Sequence, residues 1–137
     1  ESLCSKMNLA GFPCLDLSNN ELAKVHLRHM VGGRLQSSAK EFQESGSKEL
    51  LYRFEFPEKP GALMSFVNNL HHEWSISIFH YRNHGSDVGR IVVGVLVKEN
   101  ELKMWEEFIH KIGYPYYEET KNPAYQLFLG AMSGGAR

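Results

Sequence analysis

Hydrophobic and polar positions alternate with a period of two in two stretches of the chain, and a third stretch of strand length is apolar on both faces. In residues 50–56 the alternation places Tyr52, Phe54 and Phe56 on one face, a pattern typical of a half-buried strand. Residues 75–82 alternate in the same way, whereas residues 89–98 are apolar on both faces, so we expect this third strand to lie in the middle of a sheet. Residues 115–118 supply a short fourth strand.

Two further segments repeat their apolar residues at helical spacing. The first starts near Pro60, which suits the first turn of a helix because its missing N–H needs no partner there. Its apolar positions are Leu63, Phe66, Val67, Leu70 and Trp74. The second segment, residues 102–112, ends at Gly113. The order strand, helix, strand, strand, helix, strand predicts an α+β fold, a ferredoxin-like βαββαβ sandwich with both helices on one sheet face.

Residues 20–30 form a third amphipathic pattern, with Ser18 or Asn19 available as its N-cap and Gly32-Gly33 at its end. The positions expected to face inward are Leu22, Val25 and Met30. The following residues are rich in Ser, Gln, Glu and Lys, a composition typical of a linker. The small residues after Gly130 predict a disordered tail.

Residues 11–20 resemble residues 113–122 at a constant offset of 102 positions. Both segments carry Gly, an aromatic residue, Pro, a short apolar stretch, an acid, a hydroxyl residue and Asn in matching order. Coincidence over a short window is the alternative. A true repeat divides the chain into four parts. Residues 1–34 are the end of a first unit followed by a connecting helix, and residues 35–48 are a linker. Residues 49–130 are a complete second unit, and residues 131–137 are a disordered tail.

Composition narrows the function classes. The formal net charge of -1 lacks the basic excess of a nucleic-acid-binding protein, so the aromatic row on the first strand is better explained as core than as an RNA-stacking platform. The longest apolar run, residues 91–97, is far shorter than the roughly 20 residues that cross a bilayer. We therefore expect neither a nucleic-acid partner nor a membrane span.

Candidate catalytic and metal-binding patterns are weak. Seven histidines include His26, His29, the pair His71-His72, His80 and His84, but none has the spacing of a known zinc motif, and surface or strand-edge positions explain them better. Cys4 and Cys14 lie too close in sequence to staple the chain, and nothing nearby activates Cys14 as a nucleophile. We expect no catalytic residue, metal or cofactor in this segment.

Two segments favour ligand binding. Residues 57–63 join the first strand to its helix, and the glycine and free N–H groups at a helix start suit a carboxylate, although an ordinary Pro-Gly turn explains the segment equally well. Residues 79–85 gather aromatic, cationic and amide groups at the end of the second strand. Their density at one sheet edge favours a binding site there.

These same segments resemble a known family. Phe56-Pro57-Glu58-Lys59-Pro60-Gly61-Ala62-Leu63, then Trp74, Ile78-Phe79-His80-Tyr81-Arg82-Asn83-His84-Gly85 and Gly89-Arg90 are similar to the second ACT-like subdomain of biosynthetic threonine deaminases, also called threonine ammonia-lyases. Residues 16–34 are similar to the segment that joins the two subdomains of that family. The flanks and the 35–48 insertion match less well.

The resemblance implies a parent that uses pyridoxal phosphate to convert threonine to 2-oxobutanoate and ammonia, with its catalytic domain upstream. It implies a regulatory domain that binds isoleucine as feedback inhibitor and, in many members, valine as activator. Tyr81 corresponds to an effector-contact tyrosine, and Arg82 to a position associated with feedback control. It also implies a tetrameric parent, cytoplasmic in bacteria and plastid in plants.

On this basis we expect the effector carboxylate to meet the N–H groups near Gly61 and Ala62, and its branched side chain to pack near Leu63 and Phe79. Tyr81 and Arg82 would form the polar rim. The competing interpretation is a structural module that associates through exposed sheet edges without a ligand of its own.

Overall fold

The computed structural model describes residues 3–26, 46–83, 85 and 87–128. These residues contain four strands, five α-helices and one 3₁₀ turn. In chain order they are α1 (Leu3–Leu9), α2 (Glu21–Val25), β1 (Ser47–Pro57), α3 (Ala62–Asn69), β2 (Ser75–Arg82), β3 (Val88–Lys98), the 3₁₀ turn Glu99–Glu101, α4 (Leu102–Ile112), β4 (Tyr116–Glu118) and α5 (Pro123–Phe128). None of the helices within these ranges is long and apolar enough to cross a membrane.

The four strands form one antiparallel sheet in the order β2-β3-β1-β4. This order is that of a ferredoxin-like, ACT-like sandwich and confirms the predicted α+β fold class. β3 is an interior strand, as its two apolar faces predicted, because it pairs with β1 over eleven positions and with β2 on its other side.

One face of the sheet carries the larger core, beneath α3 and α4. Tyr52, Phe54 and Phe56 of β1 are 7%, 0% and 2% exposed, which confirms the core assignment of this aromatic row over the RNA-stacking alternative. Trp105 of α4 packs edge-on against Tyr52, and Phe66 of α3 packs edge-on against Phe54. Edge-to-face contacts of this kind favour one relative placement of helices and sheet.

The opposite face is also covered, by α2 and α5. Leu22 of α2 and Ala124 of α5 are fully buried against Leu51 and Val92 of the sheet. β1 is therefore buried on both faces, which differs from the half-buried strand that its alternation predicted. α5 was not predicted, because its six residues are too few to show a helical period.

The two segments that the repeat aligns share their glycine turn and their helix cap, although residues 14–16, the equivalents of β4, form no strand. α2 and α5 begin at Glu21 and Pro123, and both preceding asparagines cap the helix with a side-chain oxygen. Asn20 and Asn122 also hydrogen-bond to each other, with 2.7 Å between the Asn20 Nδ2 and the Asn122 Oδ1. Gly11 and Gly113, likewise 102 positions apart, both have a positive φ, at 83° and 72°.

Several boundaries differ from those that the sequence predicted. The N-cap of α2 is Asn20 and neither Ser18 nor Asn19, because the Asn20 Oδ1 accepts a hydrogen bond from the Ala23 N–H. Ser47 and Lys48 belong to β1 and not to the linker, because they pair with the end of β3. α3 ends at Asn69, so Trp74 lies just before β2, where its indole N–H donates to Glu101.

The predicted inner face of α3 is also displaced. Ala62 and Phe66 are its buried residues, whereas Leu63 and Val67 are 38% and 44% exposed. Other predictions fall on residues outside the described ranges: Met30, Gly32-Gly33, the rest of the linker, and the tail. The same holds for the side chain of Val25.

Candidate functional site

Three segments meet where β1 ends. The loop from Pro57 to Gly61 leaves β1 and enters α3, the start of β3 pairs with that end of β1, and β2 pairs with β3 from the other side. The N–H of Glu58 donates to the carbonyl of Asp87 at 2.8 Å, which ties this loop to the residue before β3. The sheet edge and the helix entrance are thus held together by backbone contacts.

Tyr81 of β2 reaches across β3 to this loop. Its hydroxyl donates a hydrogen bond to a carboxylate oxygen of Glu58, and this bond raises the pKa of the Tyr81 hydroxyl above its ordinary value. Gly89 makes the crossing possible: a Cβ on Gly89 would lie 2.8 Å from the Cε2 of Tyr81 and would also strike the Glu58 carboxylate. The glycine is therefore needed for a close approach of side chains, and not for its φ.

The entrance of α3 has the features of an anion site. Gly61 has a left-handed φ of 86° at the N-cap and supplies no side-chain cap. The first N–H groups of any helix lack intrahelical acceptors and carry the positive end of the helix dipole. The N–H of Ala62 donates to the carbonyl of Lys59 over 3.3 Å, the longest backbone hydrogen bond in the loops and turns of the described residues.

The structure brings five of the six predicted site residues to one side of the sheet. Tyr81 and Phe79 pair with Ile91 and Val93, and paired residues in antiparallel strands point to the same face, here the face covered by α3. Gly61, Ala62 and Leu63 lie at the entrance of α3 on that face. Phe79 and Tyr81 are each 42% exposed, so their rings are accessible to a ligand.

Arg82 is the sixth predicted residue, and its side chain lies on the opposite face. It pairs directly with Arg90 of β3, and Arg90 in turn pairs with Glu55 of β1. Among the residues that the structure describes, neither Arg82 nor Arg90 forms an ion pair, and the Arg82 Nε has no hydrogen-bond acceptor. Arg82 therefore does not contribute its side chain to the site around Tyr81.

The two cysteines lie side by side near the start of the chain. The Sγ atoms of Cys4 and Cys14 lie 2.9 Å apart as free thiols, and Asn8 holds the backbone of Cys14 through its side-chain amide. The hydrogen bond with Cys14 raises the pKa of Cys4, which disfavours the reactive thiolate. Cys4 therefore lacks the depressed pKa of a catalytic cysteine.

The histidines occupy more varied positions than the sequence predicted. His26 is fully buried and bonds to His80, so the surface or strand-edge interpretation is wrong for His26. His71 and His72 are neighbours on the loop before β2. In the described part of the chain, no group of three or more His, Cys, Asp or Glu residues has the arrangement of a metal site.

A separate groove of about 430 Å³ lies between α3 and α4. Its floor is apolar and its rim is polar, and the residues that form it include Trp74, Phe108, Ile112, Asn69, Glu107 and Lys111. None of the six predicted site residues lines it. The groove is therefore distinct from the surface around Tyr81.

Comparison with known proteins decides the family. A family model described as the C-terminal regulatory domain of threonine dehydratase matches residues 41–129. The chain belongs to this family. It is 48% identical over 119 residues to the biosynthetic L-threonine dehydratase of Burkholderia multivorans, covering 87% of this chain and 22% of that protein. It is 40% identical over 129 residues to the mitochondrial threonine dehydratase of Saccharomyces cerevisiae, covering 94% of this chain and 21% of that protein.

The biosynthetic L-threonine dehydratase of Escherichia coli is 41% identical over 129 residues, 94% of this chain and 23% of that protein. The chain thus spans about a fifth of the length of the relatives it matches. The match confirms the family that the sequence resemblance identified, because threonine deaminase and threonine dehydratase name the same family. The chain is a threonine dehydratase regulatory domain.

Two residues of this regulatory-domain surface were not among the six predicted from the sequence. Glu58 accepts the Tyr81 hydrogen bond, and Gly89 leaves the space that the Tyr81 ring crosses. Both lie within the segments that carried the family resemblance. The pairing of β2 with β3 is what brings them beside Tyr81, and a one-dimensional pattern does not give that register.

Proposed function

We propose that this domain binds isoleucine, with valine as a competing effector, on the surface formed by the entrance of α3, Glu58, Phe79 and Tyr81. The observation that carries the proposal is the Tyr81–Glu58 hydrogen bond across Gly89. This hydrogen bond joins β2, with its exposed aromatic rings, to the loop that enters α3. Apolar side chains, the Glu58 carboxylate and the N–H groups at the start of α3 therefore share one surface. A small zwitterionic amino acid needs all three kinds of group.

Each part of such an effector has a matching group in this surface. The α-carboxylate is placed at the N–H groups near Gly61 and Ala62, where the helix dipole favours an anion. The α-ammonium is placed at the Glu58 carboxylate, beside the Tyr81 hydroxyl. The branched side chain packs on Leu63 and Phe79, which are both exposed although they are apolar.

In this proposal Arg82 affects effector binding indirectly, whereas the sequence resemblance implied a residue of the site itself. Its side chain lies on the other face of β2, so it acts through its position next to Tyr81 in the strand. A change at Arg82 would alter the packing of β2 and shift Tyr81 without removing a direct effector contact. Replacing Arg82 should therefore weaken effector binding less than replacing Tyr81.

Control of a distant active site requires that the effector binds one state of the protein better than another. Coupling between two such sites is typically about 1–3 kcal/mol. Isoleucine and valine differ by one methylene, which is worth about 1–3 kcal/mol in a hydrophobic pocket. The proposed surface can therefore bind both, and small differences in packing on Leu63 and Phe79 decide the preference.

We also propose that residues 1–34 close a preceding ACT-like unit, with 35–46 as the linker and 47–130 as the second unit. The support is the Asn20–Asn122 pair and the exposed apolar residues of α1. Leu3 and Met7 are 75% and 39% exposed, whereas their repeat equivalents Trp105 and Ile109 are 1% and 3% exposed. A preceding sheet would cover Leu3 and Met7 as β1 and β3 cover Trp105 and Ile109.

For the parent protein we propose an oligomer, a tetramer by family resemblance, in which a pyridoxal-phosphate domain converts threonine to 2-oxobutanoate. This domain would transmit effector binding to that catalytic domain. In this proposal the residues described here carry the regulatory role, and the pyridoxal phosphate is held by the catalytic domain. The proposal places the protein in the cytoplasm of a bacterium or the plastid of a plant.

An oligomerisation module without a ligand is the second candidate. The observation that favours it is the free edge of β2, where Ile76, Phe79 and Tyr81 are each 42% exposed. An exposed apolar edge strand is a common site of strand pairing between chains. Sedimentation that shows concentration-dependent association, together with no isoleucine or valine binding by the folded protein, would favour this function over effector binding.

A further inference from the structure

Two histidines form a buried hydrogen bond behind the proposed effector strand. The Nδ1 atoms of His26 and His80 lie 2.7 Å apart, and the rings meet edge-on with centroids at 5.0 Å. His26 follows α2 and is fully buried, and His80 is partly buried on β2. This contact joins the layer of α2 to the sheet.

The position of His80 in β2 links this contact to Tyr81. The two residues are adjacent in an extended strand, so their side chains point to opposite faces of the sheet. Tyr81 is held at Glu58 on one face, and His80 is held at His26 on the other. A shift or rotation of this end of β2 therefore changes both contacts at once.

A hydrogen bond between two Nδ1 atoms depends on the number of protons that the rings carry. One Nδ1 must donate its N–H, and the other must offer a lone pair. With one shared proton the bond holds, but if both rings become cations, both Nδ1 atoms carry a proton and repel each other. The contact therefore breaks when both Nδ1 atoms carry a proton, which occurs when both rings are cations.

Charged groups of both signs lie on the elements that face the pair. The same sheet face carries Arg82 on β2, Arg90 on β3 and Arg53 on β1, with Glu55 beside Arg90 in the register. Arg53 is bound to Glu119, with 3.1 Å between its Nε and the Glu119 Oε1. The remaining facing elements contribute Glu21 in the first turn of α2, and Tyr125 of α5, whose hydroxyl donates to Glu49.

We propose that the His26–His80 pair positions β2 against α2, and with it the Tyr81 end of the strand, as long as the two rings share one proton. The pair is a positioning contact and does not touch the effector. Its effect on effector affinity rests on the proposed function, whereas its effect on the stability of the fold does not. Acidification should break the contact and weaken isoleucine binding in the same pH range.

The first test measures isoleucine affinity by calorimetry from neutral to mildly acidic pH, using the protein that contains this domain. The wild type should lose affinity on acidification by up to about tenfold, the value of one hydrogen bond. His80→Asn should bind more weakly at neutral pH and should show a flatter pH profile. His72→Asn, which changes an exposed histidine outside the pair, is the control and should keep the wild-type profile.

The second test needs no effector. A double-mutant cycle with His26→Asn and His80→Asn measures their coupling in the free energy of unfolding at neutral and at acidic pH. We expect coupling at neutral pH and none after acidification, because the second proton breaks the bond in the wild type. If His26→Asn fails to fold, long-range proton–nitrogen NMR spectra of the wild-type rings replace the cycle, and should show one protonated and one unprotonated Nδ1 at neutral pH.

The outcomes separate the two proposals. If the wild type binds neither isoleucine nor valine at any pH, the proposed function fails. The double-mutant cycle or the NMR spectra still test whether His26 and His80 share one proton in a stabilising hydrogen bond. If the wild type binds isoleucine and His80→Asn keeps the wild-type pH profile, the positioning role is wrong. Equal coupling at both pH values, or two protonated Nδ1 atoms at neutral pH, would also overturn it.

Discussion

At the scale of single residues, one missing side chain shapes the proposed effector surface. Gly89 stands between Tyr81 on β2 and Phe56 on β1, on the face that α3 covers. The space it leaves lets the Tyr81 hydroxyl reach the Glu58 carboxylate. Replacing this one residue therefore tests the whole arrangement.

Gly89→Ala should reduce isoleucine affinity by on the order of tenfold, about 1.4 kcal/mol. The added Cβ would lie 2.8 Å from the Cε2 of Tyr81 and would push the ring away from Glu58. Gly94→Ala is the matched control. Gly94 lies on β3 like Gly89 but faces the opposite side of the sheet, and its added Cβ would lie 2.6 Å from the Ser77 Oγ.

Both alanine variants should lose about 1–3 kcal/mol of stability through overpacking, as urea unfolding would measure. Only Gly89→Ala should lose affinity in calorimetry. Equal affinity losses in the two folded variants would show that strain anywhere in β3 disturbs binding, and that the space beside Gly89 has no special role.

The second residue-scale prediction concerns the pKa of Tyr81. The Glu58 carboxylate stabilises the neutral hydroxyl and raises its pKa, so Glu58→Gln should lower the pKa of Tyr81 toward its ordinary value of about 10. Ultraviolet titration of phenolate absorbance, with Tyr81→Phe to identify the signal, measures this shift. Glu55→Gln, which removes a carboxylate from the opposite face, should leave it unchanged.

The raised pKa also sets the sign of the pH dependence of stability. A group whose pKa is higher in the folded state contributes stability below its unfolded pKa and loses that contribution as pH rises through the folded pKa. The contribution of the Tyr81–Glu58 bond should therefore be present at neutral pH and should be lost as the Tyr81 hydroxyl ionises in alkaline solution. An unchanged Tyr81 titration in Glu58→Gln would contradict the hydrogen bond.

At the scale of elements, periodicity predicted the sheet and its two main helices well. β2 and α4 have the predicted limits, and β3 lies in the interior as expected, because long apolar patterns and a terminal glycine are strong local signals. The errors are at the ends of elements, at the inner face of α3, at the second face of β1 and at the short helices. α5 has six residues, and α2 has five, so neither completes two helical turns.

The site was predicted less fully than the fold, for a physical reason. Family resemblance identified Tyr81 and the entrance of α3, but strand pairing decides which side chains join them. That pairing brings Glu58 and Gly89 to Tyr81 and sends Arg82 to the other face. It also buries His26 against His80, 54 positions away in sequence, which no local pattern contains.

The asparagine pair gives an element-scale prediction. Asn20 and Asn122 each cap their own helix and also bond to each other, so each single change to Ala should cost about 1 kcal/mol or more of stability. The double variant should lose less than the sum of the two, because the shared bond can be lost only once. Urea unfolding of the four proteins measures this coupling.

Asn69→Ala is the control for that cycle, since the Asn69 side chain bonds only within α3, to the carbonyl of Ser65. Its effect should add to that of Asn122→Ala without coupling. Strict additivity of Asn20→Ala and Asn122→Ala would mean that the contact between the two helices contributes nothing, and would remove one support for the proposed repeat.

At the scale of the whole molecule, the sheet separates two differently used surfaces. The α3 and α4 face carries the aromatic core and the proposed effector surface, and the α2 and α5 face carries the asparagine and histidine pairs. β2 takes part in both, because Tyr81 belongs to the proposed effector surface on one face and His80 contacts His26 on the other. In the proposed function, an effector bound at Tyr81 would act on the neighbouring unit through β2.

The central claim is that the domain is an amino-acid sensor, and calorimetry with isoleucine and valine on the protein containing both ACT-like units tests it most directly. We predict saturable heat with at least isoleucine, and a strong loss of affinity in Tyr81→Ala, with the fold of the variant verified by circular dichroism. His110→Ala, which changes an exposed residue of α4, should bind as the wild type does. No heat with either amino acid, from folded wild-type protein, would contradict the account.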